Sequence, residues 1–207
     1  MPLDKFSIFV EKNKPTKWED LSKEPNLGYD MRLHMLYYEQ ECLCGYSEIP
    51  LNPENDSSHI DHFVKREFDS AKTFDWNNFI VSTIDDDFGG KYKDNTHRIK
   101  IDEYHQIFNP VIENMSDYID YNGNGEIEPA KNIDDSCKEK VKKTIDVFNL
   151  NFRSLKNRRK ALLIQLESCK GSDKEALLAM FKDYGFISLT NWFIKKNHGQ
   201  NSNDISD

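Results

Sequence analysis

An α+β fold is predicted, a small strand-containing module set within a mainly helical chain, and three features of the 207-residue sequence predict it. Apolar residues recur at helical spacing on both sides of the middle of the chain. Between Cys42 and Lys100 that spacing gives way to short bursts of Cys, His, Asp and aromatic residues. Proline and glycine then mark loops inside this stretch, at Pro50–Ser58 and Gly89–Asn95. The length suits one domain with appendages and suffices for a packed core. Aromatic residues at 12% argue against wholesale disorder.

Residues 1–41 read as an N-terminal helical segment. Pro15, Pro25 and Gly28 break its start into short helices and irregular structure, with Trp18 and Leu21 as anchors. From Asp30 to Glu41, Leu33, Leu36 and Tyr37 predict an amphipathic helix. Residues 42–100 form the strand-containing module. Residues 101–198 read as a helical C-terminal region that begins as a long connection with a turn at Tyr121–Gly125. Val141, Ile145 and Phe148 then mark one helix, and Leu155, Leu162 and Leu166 a second, with Asn151 as its expected N-cap. A last helix follows Ser172, with Ala176, Leu177, Met180 and Phe181 inward. The polar tail, 199–207, is expected to be disordered.

Several classes are excluded or disfavoured. The longest apolar runs, Ala161–Ile164 and Ala176–Phe181, are too short to cross a bilayer, and the first residues lack the features of a signal peptide. Four cysteines are too few for a disulfide framework, so a reducing cytoplasm is expected. No Gly-rich Lys-Ser/Thr loop is present to hold a nucleotide. The formal charge of -8 by itself disfavours a general nucleic-acid binder.

The chemistry-bearing residues of the module run in order: Cys44-Gly-Tyr-Ser47, His59-Ile-Asp61-His62, Trp76-Asn77-Asn78, Thr83 and Asp85-Asp86-Asp87. A histidine beside a carboxylate suits phosphodiester hydrolysis, which needs a base near neutrality and a cation to stabilise charge on phosphorus. In a regular strand His59 and Asp61 share a face and His62 points away, so Asp61 and His62 converge only where the strand ends or bulges. His59 is therefore a rival ligand.

This ordered series resembles an HNH endonuclease module of the ββα-metal type, and most nearly the PtuB-like HNH subunits of Septu and certain retron anti-phage defence systems. The likeness runs from about residue 15 to 190. It takes in Trp18 and Tyr38-Glu-Gln40 upstream, and Asn109-Pro110, Tyr118–Pro129, Thr144–Asn151, Leu155 and Arg158-Arg159 downstream. The resemblance implies a ββα-metal (HNH) module embedded in a mainly helical domain. Asp61 would ligate one divalent ion, Mg2+ or Mn2+, and Asp87 would fall at the last ligand position. His62 would be the general base, and Asn78 would hold the hairpin and orient the histidine. It also implies a PtuA-like ATPase partner of the ABC/SMC group that restrains the nuclease until infection, a nucleic-acid substrate, and, in a retron setting, a reverse transcriptase with its reverse-transcribed DNA.

Departures from the pattern matter. Of the family's two Cys-x-x-Cys pairs only Cys44 remains, with Ser47, Thr83 and Asp86 at the other positions. No structural zinc is expected, and packing of Tyr46, Phe63, Trp76 and Phe79 is expected to hold the module instead. His59 reads equally as a partly buried histidine bonded to a carbonyl, and Asp85–Asp87 as a solvated helix N-terminus. His97 and His105 read as surface or core residues. The alternative function is a catalytically inactive HNH-fold subunit that scaffolds or regulates the ATPase. DNA and RNA substrates, tRNA included, stay open.

Asp120-Tyr-Asn122-Gly-Asn124-Gly125-Glu-Ile127 imitates a calcium loop, but its twelfth position is Lys131 and Pro129 interrupts the exit, so a tight turn is predicted. Residues 138–160 carry nine Lys or Arg against two acids, a net +7, leaving -15 on the remainder. Within it Arg153, Lys156, Arg158, Arg159 and Lys160 are candidates to follow a phosphate backbone, or else a solvated or acid-paired helix face. Such a chain is expected to bind nucleic acid weakly alone and substantially only with its partner.

Overall fold

The first helix, α1 (Asp4–Asn13), forms where Phe6 and Phe9 fall on one face and bury it. It ends at Lys14, whose amide bonds back to the Val10 carbonyl. The computed structural model describes residues 1–198, so the tail expected to be disordered lies outside the described residues. A 3-10 turn, Trp18–Lys23, buries Leu21, and α2 (Leu27–Tyr38) follows. Its inner face is Leu27, Met31, Met35 and Leu36, while Tyr37 is exposed. The helix therefore starts three residues earlier than its sequence pattern indicates, and methionines at i, i+4 carry the face assigned to Leu33 and Tyr37.

The middle module is a two-stranded antiparallel sheet with loops around it. Strand β1 (Ser58–His62) pairs with β2 (Phe79–Thr83), with His62 opposite Phe79 and Asp61 opposite Ile80. Every residue of β2 is buried, because α2 packs against it and a tight turn at Cys44–Ile49 covers its outer edge. The Gln40 side chain extends the ladder: it accepts from the Val81 amide at 2.7 Å and donates to the Val81 carbonyl at 2.9 Å. After β2 the chain does not form the predicted loop at Gly89–Asn95. It turns into a short helix that includes a π-helical stretch, Tyr92–His97.

The connection that follows holds a second sheet that the sequence reading places only as a turn. Strands β3 (Ile119–Tyr121) and β4 (Ile127–Pro129) form an antiparallel hairpin around Asn122–Glu126. Helices α3 (Asp135–Val147), α4 (Arg153–Ser168), α5 (Lys174–Phe181) and α6 (Ile187–His198) complete the described chain. Asp134 and Asp173 cap α3 and α5 with their side chains. Asn151 does not cap α4: its side chain accepts from the Ile127 amide at 2.8 Å and donates to the Ile127 carbonyl at 2.9 Å. With no third strand beside β4, those backbone groups need a side-chain partner, and Asn151 supplies both halves.

One continuous apolar core runs from Phe6 to Ile194 and draws on all of these segments. Among the described residues, no helix is long and apolar enough to cross a membrane.

Candidate active site

Strand β1 determines where the predicted catalytic pair goes. His62 is its last residue and lies on the face opposite Asp61. The His62 ring packs edge-on against Trp18 at 4.6 Å and Phe79 at 5.1 Å between centroids. The Asp61 carboxylate, on the other face, accepts from the Tyr46 hydroxyl at 2.6 Å. Because the strand stops at His62, both residues still border one cleft of about 550 Å³, shared with His59, Lys65, Arg66 and Asp94.

The histidine is held in one tautomer. Its Nε2 lies 3.1 Å from the Thr73 carbonyl, which can only accept, so Nε2 carries the proton and Nδ1 keeps the lone pair. Burial lowers the pKa of His62, opposed by the Thr73 carbonyl and reinforced by Arg66, so the ring is neutral at pH 7. Only 7% of the residue is exposed.

Asn78 reaches His62 through the backbone. It is buried, accepts from the Val64 amide at 2.8 Å, and donates to the carbonyls of Val64 at 3.0 Å and Lys72 at 3.1 Å. It thus pins the exit of β1 to the loop whose next residue, Thr73, orients the histidine.

A residue without a sequence assignment sits at the centre. Lys93, fully buried, brings its ammonium to 2.8 Å from the His62 carbonyl and 3.0 Å from that of Phe63. The same Nζ lies 3.1 Å from Asp61 Oδ2 and 3.2 Å from Asp94 Oδ1. Burial opposes the charge, but Asp61 and Asp94 outweigh it and raise the lysine's pKa. Asp94 is pushed up to about 6 by burial, against the pull of Lys93 and with the push of Asp61. The helix that delivers Lys93 approaches so closely that a Cβ on Gly90 would lie 2.7 Å from Asp61 Oδ2. That contact explains Gly90, while Gly89 is required by its φ of 77°.

The other predicted ligands are placed differently. His59 shares the face of Asp61 and borders the cleft; its Nδ1 is buried without a partner, and burial lowers its pKa while Asp61 opposes. Asp87 lies exposed on the turn after β2, outside the cleft lining, and its carbonyl accepts from Asn149. The expected divalent ion bridging Asp61 with Asp87 or His59 does not fit this arrangement. Oδ2 of Asp61 is already committed to Tyr46 and Lys93, and the Lys93 ammonium lies between the Asp61 and Asp94 carboxylates. Among the described residues, no three His, Cys, Asp or Glu side chains converge as a metal-holding group.

At the four positions that the resemblance assigns to a zinc clamp, Cys44 is buried with Sγ 3.8 Å from the Ser82 hydroxyl, and Ser47 is buried. Thr83 accepts from the Asp85 amide, and Asp86 reaches Lys91 at 3.5 Å. Tyr46 stacks on Phe148 at 4.3 Å, and Phe63, Trp76 and Phe79 are buried beside it in the core.

The basic stretch divides in two. Arg159 leaves the set of phosphate-contacting candidates: it is buried, and its guanidinium donates to the carbonyls of Gly125 at 2.6 Å and Leu150 at 2.7 Å and to Asn151 Oδ1 at 3.1 Å. Burial lowers its pKa to about 10. Lys156 pairs with Glu126 at 2.9 Å. Arg153, Arg158 and Lys160 are exposed on α4.

No family model matches the chain, and no curated protein matches it.

Proposed function

We propose that the chain is the HNH-type nuclease subunit of an anti-phage defence complex, hydrolysing phosphodiester bonds in DNA or RNA with His62 as general base under the control of a partner ATPase. One observation carries this reading. The end of β1 puts Asp61 and a neutral, tautomer-fixed His62 on the wall of one open cleft, beside Lys65 and Arg66.

The chemistry follows from those positions. Nδ1 of His62 takes the proton of a water as the water oxygen forms its bond to phosphorus. The bond from phosphorus to the leaving oxygen then breaks, and that oxygen takes a proton from solvent. Lys65 and Arg66 supply positive charge on the cleft wall against the gathering negative charge of the phosphorane. Asp61 and Asn78 hold their neighbours in place. A divalent ion would add Lewis-acid stabilisation, but no step is assigned to it because the donor set does not fit one.

A second reading, an inactive assembly subunit of the same complex, has its own support: the Asp61 carboxylate is already satisfied inside the protein by Tyr46 and Lys93. End-labelled DNA and RNA incubated with the partner complex separate the two. His62→Ala is expected to lower cleavage by about 100-fold or more, the usual worth of a general base. The acid limb of kcat/KM should fall below pH 6.5, since burial depresses His62 from its ordinary value. Cleavage unchanged in His62→Ala sinks the hydrolytic reading. A complex that cleaves nothing, yet defends cells equally with His62→Ala, establishes the scaffold.

A further inference from the structure

Four oxygens surround the Lys93 ammonium at 2.8 to 3.2 Å, two from backbone carbonyls and two from carboxylates. Oxygen ligands of mixed carboxylate and carbonyl origin are also what a hard cation collects, although at shorter distances, about 2.0 to 2.6 Å. The ammonium donates hydrogen bonds to the two carbonyls and pairs by charge with the two carboxylates at 3.1 and 3.2 Å. Nothing in the arrangement is incidental to the fold. The carbonyls belong to His62 and Phe63, the point where β1 ends, and the carboxylates come from β1 and from the helix that carries Lys93 itself.

Backbone geometry aims the lysine inward. The Lys93 amide bonds to the Gly89 carbonyl, the Ile99 amide returns to the Lys93 carbonyl, and the stretch between them is π-helical. π-helical turns are rare and are frequently found at functional sites. Gly90 permits the approach, since any side chain there would strike Asp61. Lys91, two residues earlier, is partly exposed and pairs with Asp86 on the surface, so position 93 alone delivers its charge to the interior.

We propose that the Lys93 ammonium is the resident cation of this centre, holding Asp61, Asp94 and the end of β1 in the arrangement a divalent ion would otherwise impose, so that the cleft works without a bound metal. Lys93 is a positioning residue: it is fully buried and absent from the cleft wall, so it does not touch a phosphate there. The ammonium orders the strand end that presents His62, and it offsets charge of Asp61 and Asp94 that would repel an anion. Lys65, 3.6 Å from Glu67, and Arg66, 3.5 Å from Glu19, are the cations on the cleft wall itself. This inference rests on the proposed hydrolytic reading only in naming the ion that the lysine replaces. Its readout is ion binding, so it stands or falls whether or not hydrolysis is found.

The test is a Mn2+ titration of the full chain, followed by electron paramagnetic resonance of free Mn2+. Wild type is expected to show no saturable site up to about 1 mM, the weak end for carboxylate sites. Lys93→Ala leaves Asp61, Asp94 and the carbonyls of His62 and Phe63 around the vacated space and is expected to gain one site at least tenfold tighter, abolished again by Asp61→Asn in the same chain. A single saturable site in wild type that Asp61→Asn removes overturns the proposal. So does a folded Lys93→Ala that binds no better than wild type. If Lys93→Ala does not fold, Lys93→Gln keeps the length without the charge and is judged by the same gain in Mn2+ binding, and the wild-type titration decides alone if neither variant folds.

Discussion

The two small hairpins of this molecule are each tied down by one buried basic side chain from a neighbouring helix, yet they treat the charge in opposite ways. At β3–β4, Arg159 donates to the carbonyls of Gly125 and Leu150 and to the amide oxygen of Asn151, all neutral acceptors. Burial drags its pKa down to about 10. At β1–β2, Lys93 meets two carboxylates as well as two carbonyls, and its pKa is raised. The first ties backbone to backbone through neutral acceptors alone. The second is a charged cluster, with Lys65 as a more distant cation 3.9 Å from Asp94, and its carboxylates border a cleft.

The largest expected effects test that difference by removing the cations. Lys93→Met should cost about 3–5 kcal/mol in denaturant unfolding, because it strands buried charge. Asp61→Asn added to Lys93→Met should recover about half of that. Arg159→Met should cost about 2–4 kcal/mol by leaving carbonyls unsatisfied. No second side-chain change should rescue it, because its main acceptors are backbone. Equal rescue at both hairpins would erase the distinction.

A smaller effect is pH-dependent. Asp94 sits at about 6 in the folded chain against an ordinary 3.8, so the folded state holds that proton more tightly. Its contribution is fully present below 3.8 and is lost as pH rises through about 6. The wild-type chain minus Asp94→Asn should therefore show stability falling by about 1–2 kcal/mol across that window, discounted for partial exposure. No such slope should arise from Arg159. A flat difference would mean that the burial of Asp94 is not felt. The smallest change is Tyr46→Phe, which removes one bond to Asp61 and should cost about 1–2 kcal/mol in the same unfolding measurement.

The sequence shows the β1–β2 hairpin and Asp61, His62 and Asn78 because short apolar bursts bounded by loops mark strands, and because their order carries a resemblance. It hides Lys93. Gly89-Gly90 followed by Lys91 and Lys93 reads as a polar loop, and nothing local says which lysine is buried; the answer depends on where Asp61 lies in space. Arg159 was more legible than its basic neighbours suggest. It falls four residues after Leu155 and three before Leu162, on the stripe that α4 buries, so helical periodicity places it inside. Asp87 is the reverse case: its position in the series says ligand, while the turn after β2 leaves it in solvent. The second sheet escapes notice because each strand spans only three residues, too few for alternation to register.

The turn at Cys44–Ile49 supports Tyr46, and through it Asp61, but the turn is braced from far along the chain. The Glu48 carbonyl accepts from the Phe186 amide at 2.9 Å, and its carboxylate accepts from the Ser188 hydroxyl at 2.6 Å, which also meets Tyr121 at 2.6 Å. Residues 48 and 188 are 140 positions apart. Closing so long a loop is slow and comes late in folding. During synthesis, which delivers the N-terminal parts first, β1, β2 and Lys93 emerge well before their outer brace exists. The centre therefore acquires its final rigidity only after α6 has been made, a built-in delay between the appearance of Asp61, His62 and Lys93 and the completion of their surroundings.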